Sequence, residues 1–258
     1  MDTGLSNKNA LVLGASRGLG FAIAEGLSVE GARVALASRS LERATEAAGR
    51  LSGFARGFAC DTADEGQIDR LFADAVATLG HIDILVLNSG GPPPGSAQRV
   101  SSEQWRKSFD AMFVNLVRLA DLALPGMIER KFGRIISVVS SGVIQPIPNL
   151  AISNSIRPAL IGWSKTLATE IAGHGVTVNS VVPGRISTDR IRELDEANAK
   201  RTGRSVAEVS AAGKASIPAG RLGEPREFAA AAVFLASAAA GYITGSTIRV
   251  DGGAISSV

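Results

Sequence analysis

The sequence predicts an α/β fold with a single doubly wound parallel sheet and helices on both faces. Three observations predict it. A glycine-rich turn joins a short apolar run to a helical pattern near the N-terminus; further short apolar runs recur along the chain, continuous rather than alternating; and helical patterns lie between them. A continuous apolar strand is buried on both faces, which a parallel sheet sandwiched by helices provides, with right-handed crossovers.

Ala10-Leu11-Val12-Leu13 has the length of a buried strand, and Phe21 to Leu27 repeats apolar residues at helical spacing. Between them, Gly14-Ala15-Ser16-Arg17-Gly18-Leu19-Gly20 places glycines where the backbone must turn sharply and approach a pyrophosphate, whose charge meets unpaired N–H groups and the positive end of the helix dipole. The spacing is wider than the common G-x-G-x-x-G form. Residues 34–38, 57–61, 82–88, 134–140, 176–182 and 246–250 each read as a further strand. Helical patterns cover 63–79, 102–130, 150–172 and 224–237.

The order of these motifs resembles the short-chain dehydrogenase/reductase family over essentially the full chain. Asn88-Ser89-Gly90-Gly91 is similar to its Asn-Asn-Ala-Gly motif, Pro183-Gly184 with Thr188 to its nicotinamide-side turn, and Asp251-Gly252-Gly253 to its C-terminal signature. Leu13 departs from the threonine often found there. The resemblance implies a Rossmann-like fold and a dinucleotide held by Gly14, Ser16, Arg17, Gly18, Leu19 and Gly20 in the turn. Asp61 would face the adenine, and Asn88, Gly90, Pro183, Gly184, Ile186 and Thr188 would surround the rest.

Charge predicts which dinucleotide. A carboxylate at the end of the second strand would bind the ribose hydroxyls of NAD and repel a 2′-phosphate. That position is Ser38, followed by Arg39, with Arg17 nearby in the glycine turn. Two guanidiniums and a hydroxyl favour NADP(H) over NAD(H).

Composition fits one enzyme-like domain across residues 1–258. The chain has 258 residues, 45% hydrophobic and 20% charged, with no linker or repeat. Its net charge of +3 comes from scattered residues rather than a basic stripe, so nucleic acid is not the expected partner. The single cysteine, Cys60, excludes an internal disulfide, and no metal-ligand spacing appears. No signal peptide and no apolar run of membrane length is read, so a cytoplasmic location is expected. Helices 102–130 and 150–172 are apolar on more than one face, and such helices pair across two-fold axes in relatives, which predicts a homodimer or homotetramer.

The resemblance breaks at the proton-transfer site. The family's tyrosine and its lysine four residues later fall on Ser153 and Arg157, while its serine, thirteen residues earlier, is kept as Ser140. Its asparagine falls on Met112, with Asn115 about one turn further on. A phenol has a pKa near ~10 and can be drawn toward neutrality by an adjacent cation, whereas an aliphatic alcohol is a far weaker acid. Ser153 therefore cannot simply replace the tyrosine. Arg157 stays charged and could attract an anionic group, so Ser140, Ser153 and Arg157 could form an anion-binding cluster. Pro158 predicts that the helix either starts near here or kinks. His81, His174 and Tyr242 are read as structural or solvated.

The site mouth is expected beyond the carboxyl ends of the strands, walled by Gly91-Pro92-Pro93-Pro94-Gly95. Residues 189–218, carrying Arg190, Arg192, Glu193 and Asp195, resemble the family's substrate lid. Three functions stay open. The expected one is an NADP(H)-dependent oxidoreductase acting on a carbonyl or alcohol through an atypical proton-transfer site. The others are a cofactor-binding regulator or oligomer partner without turnover, and a non-redox lyase or isomerase in the same pocket.

Overall fold

The computed structural model describes residues 2–257. Seven parallel strands form one sheet, β1 (Asn9–Val12), β2 (Arg33–Ser38), β3 (Ala55–Ala59), β4 (Ile84–Leu87), β5 (Gly133–Val138), β6 (Val176–Pro183) and β7 (Thr247–Val250), in the order β3-β2-β1-β4-β5-β6-β7. The order runs outward from β1 in both directions, so a crevice opens between β1 and β4, where the winding reverses.

The two-residue alternation of a strand sorts its side chains into two cores. Ala10, Val12, Val34, Leu36, Ile84, Val86, Ile136, Val138 and Val181 pack on one face with helices α1 (Gly18–Val29) and, further along the chain, Pro225–Ala236. Leu11, Leu85, Leu87, Ile135, Val178 and Val182 pack on the other. That face is covered by α3 (Glu65–Leu79), α5 (Asn115–Glu129) and α6 (Ala151–Ile171). Each fully buried aliphatic side chain contributes about 1.5–3 kcal/mol.

Several elements were not read from the sequence, among them the two helices within residues 189–218. Helix α2 (Leu41–Gly49) begins at Ser40, whose hydroxyl accepts from Arg43 N–H at 3.3 Å. The expected helix 102–130 is divided into α4 (Ser102–Phe109), a wide-turned π segment (Asp110–Val114) and α5. The π segment rotates α5 relative to α4, which decides where Met112 and Asn115 point.

The expectation of no membrane-length apolar run is corrected by Ser102–Glu129, which is long and apolar enough by composition to cross a membrane. It lays Leu116, Leu119, Ala120, Ala123 and Met127 against the sheet, as a core helix does.

Helix α6 begins at Ala151, not near Pro158. Pro158 lies inside it, so the carbonyl of Asn154 loses its helical donor. The Asn154 side chain secures the helix start instead, accepting from Ile147 N–H at 3.1 Å and donating to Ile147 O at 2.8 Å. Within residues 189–218 the chain forms α7 (Asp189–Thr202) and α8 (Val206–Ala215), and α9 (Pro225–Ala236) comes after them.

Candidate active site

A cleft of about 660 Å³ lies beyond the carboxyl ends of β1, β4, β5 and β6. A larger groove of about 960 Å³ runs along β3 past Phe54 and Arg70 and shares no residue with the cleft. The chemistry-bearing residues belong to the cleft.

Its floor is the glycine turn. Gly14 and Gly18 have φ of 58° and 61°, which favour glycine. A Cβ at Gly20 would lie 2.4 Å from Gly14 O, so the turn closes tightly only without one. Asn88, after β4, donates to Leu13 O and Gly14 O at 3.2 Å each and ties the turn to the next strand. Arg17, at the N-terminus of α1, supplies no capping acceptor, and the first turn holds no acid. The helix start therefore offers free N–H donors to an anion, which fits a dinucleotide pyrophosphate.

Beyond the end of β2, Arg39 lines the cleft. The Ser38 hydroxyl donates to Ser40 O at 2.8 Å, so its proton is already engaged. Asp61 accepts from Ala63 N–H at 3.1 Å; with Ser16, Gly20 and Ser38 it stands outside the cleft wall. Leu19, Gly90, Pro183, Gly184, Ile186 and Thr188 line the cleft with Gly14, Gly18 and Asn88. A Cβ at Gly184 would lie 2.5 Å from Asp251 Cα, so this turn and the Asp251-Gly252-Gly253 turn require each other.

Arg17, expected to face a phosphate, reaches instead to α7. Its guanidinium pairs with Asp189 at 3.1 Å and Glu193 at 3.2 Å, and these bonds raise its pKa above the ordinary arginine value. Arg190 donates to Pro92 O at 2.7 Å, so α7 also grips the proline loop. Arg185 pairs with Asp195 at 2.6 Å beneath it, and Arg192 pairs with Asp189.

The inner end is built by α6. Ser153 and Arg157 sit one turn apart, both buried and both on the cleft wall. Arg157 donates to Val138 O at 2.7 Å and to Ser89 O at 3.4 Å, bracing the exits of β5 and β4. Burial, assisted by the positive charge of Arg190, pushes its pKa from the ordinary arginine value down to about 10. Burial also lowers Arg190. Ser140 closes the opposite wall, its oxygen accepting from Gly142 N–H at 3.2 Å while its own proton is left to donate.

Met112 packs into a small apolar cluster with Ile152 and Ile156. Asn115 donates to Thr62 O at 2.8 Å and is not part of the cleft wall. The chain's one tyrosine, Tyr242, is fully exposed. His81 contacts Asp83 at 3.2 Å, away from the cleft. Among the described residues, the cleft wall holds no tyrosine, lysine, histidine or cysteine.

Sequence reasoning missed Ser89 as a side chain. It lines the cleft with its hydroxyl buried and without a partner. Its place in the Asn-Ser-Gly-Gly motif drew attention to the backbone alone.

A family model described as Enoyl-(Acyl carrier protein) reductase matches residues 14–254. The chain is 38% identical to 3-oxoacyl-[acyl-carrier-protein] reductase FabG of Vibrio cholerae, over 96% of this chain and 98% of that protein. It is 36% identical to Dehydrogenase/reductase SDR family member 4 of Bos taurus, over 98% and 88%. Among solved structures, L-sorbose reductase from Gluconobacter frateurii complexed with NADPH and L-sorbose superposes with a TM-score of 0.94 at 33% identity, covering all of both chains. YwfH, an NADPH-dependent reductase involved in bacilysin biosynthesis, superposes with a TM-score of 0.92 at 31% identity, over 98% of this chain and all of that one. With the glycine turn, the sheet order and these full-length likenesses in agreement, the chain belongs to the short-chain dehydrogenase/reductase family of oxidoreductases.

Proposed function

We propose that this protein is an NADPH-dependent reductase of a carbonyl compound, working with Ser153 and Arg157 at the positions of the family's tyrosine and lysine. The observation that carries the reading is the cleft itself: a glycine turn with free helix donors at one end, Arg39 beside it with no opposing carboxylate from β2, and buried polar side chains at the other. The NADPH in the names of the solved neighbours supports the cofactor choice.

When bound, NADPH supplies a hydride to the carbonyl carbon. The chain contributes positioning and charge. Arg157 places a fixed positive charge at the inner end, where negative charge develops on the carbonyl oxygen. Ser140 offers a hydrogen bond to that oxygen, and the proton it finally carries comes from water. Ser153 is too weak an acid to give up a proton outright and serves as a relay with Ser140 or a bound water. The cofactor residues are those of the glycine turn, Arg39 with Ser38 and Asp61 at the adenine end, and Asn88, Gly90 and Pro183 to Thr188. Residues 189–218 act as the substrate lid, and the protein works in the cytoplasm as a single-domain subunit of a homodimer or homotetramer. Exposed Phe109 and Val114 beside α5 support that assembly.

Titration with NADPH and NADH, followed by turnover assays on a panel of carbonyl compounds, tests this. Tight NADPH binding with reduction of at least one compound is expected. Among the described residues the cleft wall holds no histidine or cysteine, which favours a second reading, a cofactor-binding regulator without turnover, and NADPH binding with no reduction across the panel would select it.

A further inference from the structure

We propose that the inner end of the cleft is a carboxylate pocket, and that the substrate is a carbonyl compound bearing a carboxylate held by Arg157 and Arg190. The inference rests on the reductase reading and names its substrate class.

Arg157 is 6% exposed, and among the described residues no carboxylate pairs with it. Its two hydrogen bonds go to neutral carbonyls, which leaves three of its five N–H groups. A buried charge is normally paired, because taking it out of water unpaired is costly. The missing partner is therefore expected to come from outside the chain.

Arg190 supplies the second charge from α7. It reaches across Gly91, where a Cβ would lie 2.8 Å from its Nε, so the glycine makes room for it. The one carboxylate near it, Glu193, stands 3.8 Å away and also holds Arg17 at 3.2 Å. The cleft wall carries five arginines against two carboxylates, and both carboxylates are engaged by Arg17 at the outer end. Ser89, 6% exposed, carries a buried hydroxyl without a partner, and its carbonyl takes one of the Arg157 contacts. Two guanidiniums and a free hydroxyl at the end of a cleft match a planar oxyanion. Reduction adds hydride from NADPH to the carbonyl carbon, opens the C=O π bond, and places a proton from water on the oxygen, giving a hydroxy acid and NADP+.

The test compares short 2-oxo acids with their methyl esters, which keep the carbonyl and lose the charge. NADPH binding is measured first by fluorescence. Binding of each acid and ester to the cofactor-free chain is then measured by calorimetry, and their reduction by NADPH oxidation. Acids should be preferred over esters by about tenfold or more in both readouts. Arg190→Gln should erase most of the preference in the calorimetric ratio, and Arg157→Lys, which keeps a charge but loses the fork, should reduce it. Equal binding of acid and ester, or a preference untouched in both variants, overturns the carboxylate pocket even where NADPH binds and neutral ketones are reduced. Methylphosphonate binding more tightly than the acids also overturns it, since the pocket would then suit a phosphoryl group. Acid binding without NADPH binding would overturn the reductase reading and leave the pocket standing.

Discussion

Arg17 and Asp189 lie 172 residues apart in the chain and 3.1 Å apart across the cleft mouth. The residue that opens helix α7 is thus held by the residue that opens helix α1. In the proposed function, a phosphate arriving at the glycine turn would compete with Asp189 and Glu193 for this guanidinium.

Arg17→Ala should loosen α7. Amide hydrogen exchange across residues 189–202 is expected to quicken, while global stability changes by less than about 1 kcal/mol, as exposed ion pairs contribute little. Raising salt should mimic the variant in the wild-type chain. Unaltered exchange in both conditions would show that α7 is held by other contacts.

Arg39→Ala should discriminate between the cofactors. The loss of a charge-assisted phosphate contact costs about 1.5–3 kcal/mol, so NADPH affinity should fall roughly 10- to 100-fold with NADH nearly unchanged. Equal losses for the two would remove Arg39 from the phosphate site.

Arg157→Met should stabilise the fold while removing function. The substitution gives up hydrogen bonds to Val138 O and Ser89 O, the second of them long at 3.4 Å, and relieves a buried charge that burial already disfavours. The relief is the larger effect, and a gain of about 1–2 kcal/mol is expected in urea unfolding, with reductase activity lost. A marked loss of stability would mean that bracing the strand ends is the main role of Arg157.

Burial raises the Cys60 thiol from its ordinary value of 9.0 to about 11. An unfolded chain ionises this thiol first, so its contribution to stability is intact below pH 9 and is lost as pH rises from about 9 to about 11. Cys60→Ala should flatten that part of the stability curve. The native thiol should also react slowly with iodoacetamide at pH 8 and quickly in urea. Fast native alkylation would contradict the burial.

Local patterns determined much of this protein. The apolar runs placed all seven strands within a few residues, because a strand buried on both faces has few other compositions open to it. The glycine turn was legible for a similar reason, since the φ of 58° at Gly14 favours glycine and the close approach at Gly20 leaves no room for a Cβ. Helix α2 was missed although Ser40 and the spacing of Ala44, Ala47 and Ala48 carried a signal for it. The π segment left no such trace, and with it went the directions of Met112 and Asn115. Tertiary structure alone decided the electrostatics: that Arg17 turns to Asp189, that Arg190 crosses Gly91, and that Arg157 lies buried with carbonyls for partners. Burial and spacing repeat locally along a chain, so sequence records them. The partner of a charge is set by which distant segments the fold brings within a few ångströms, and no local pattern carries that distance.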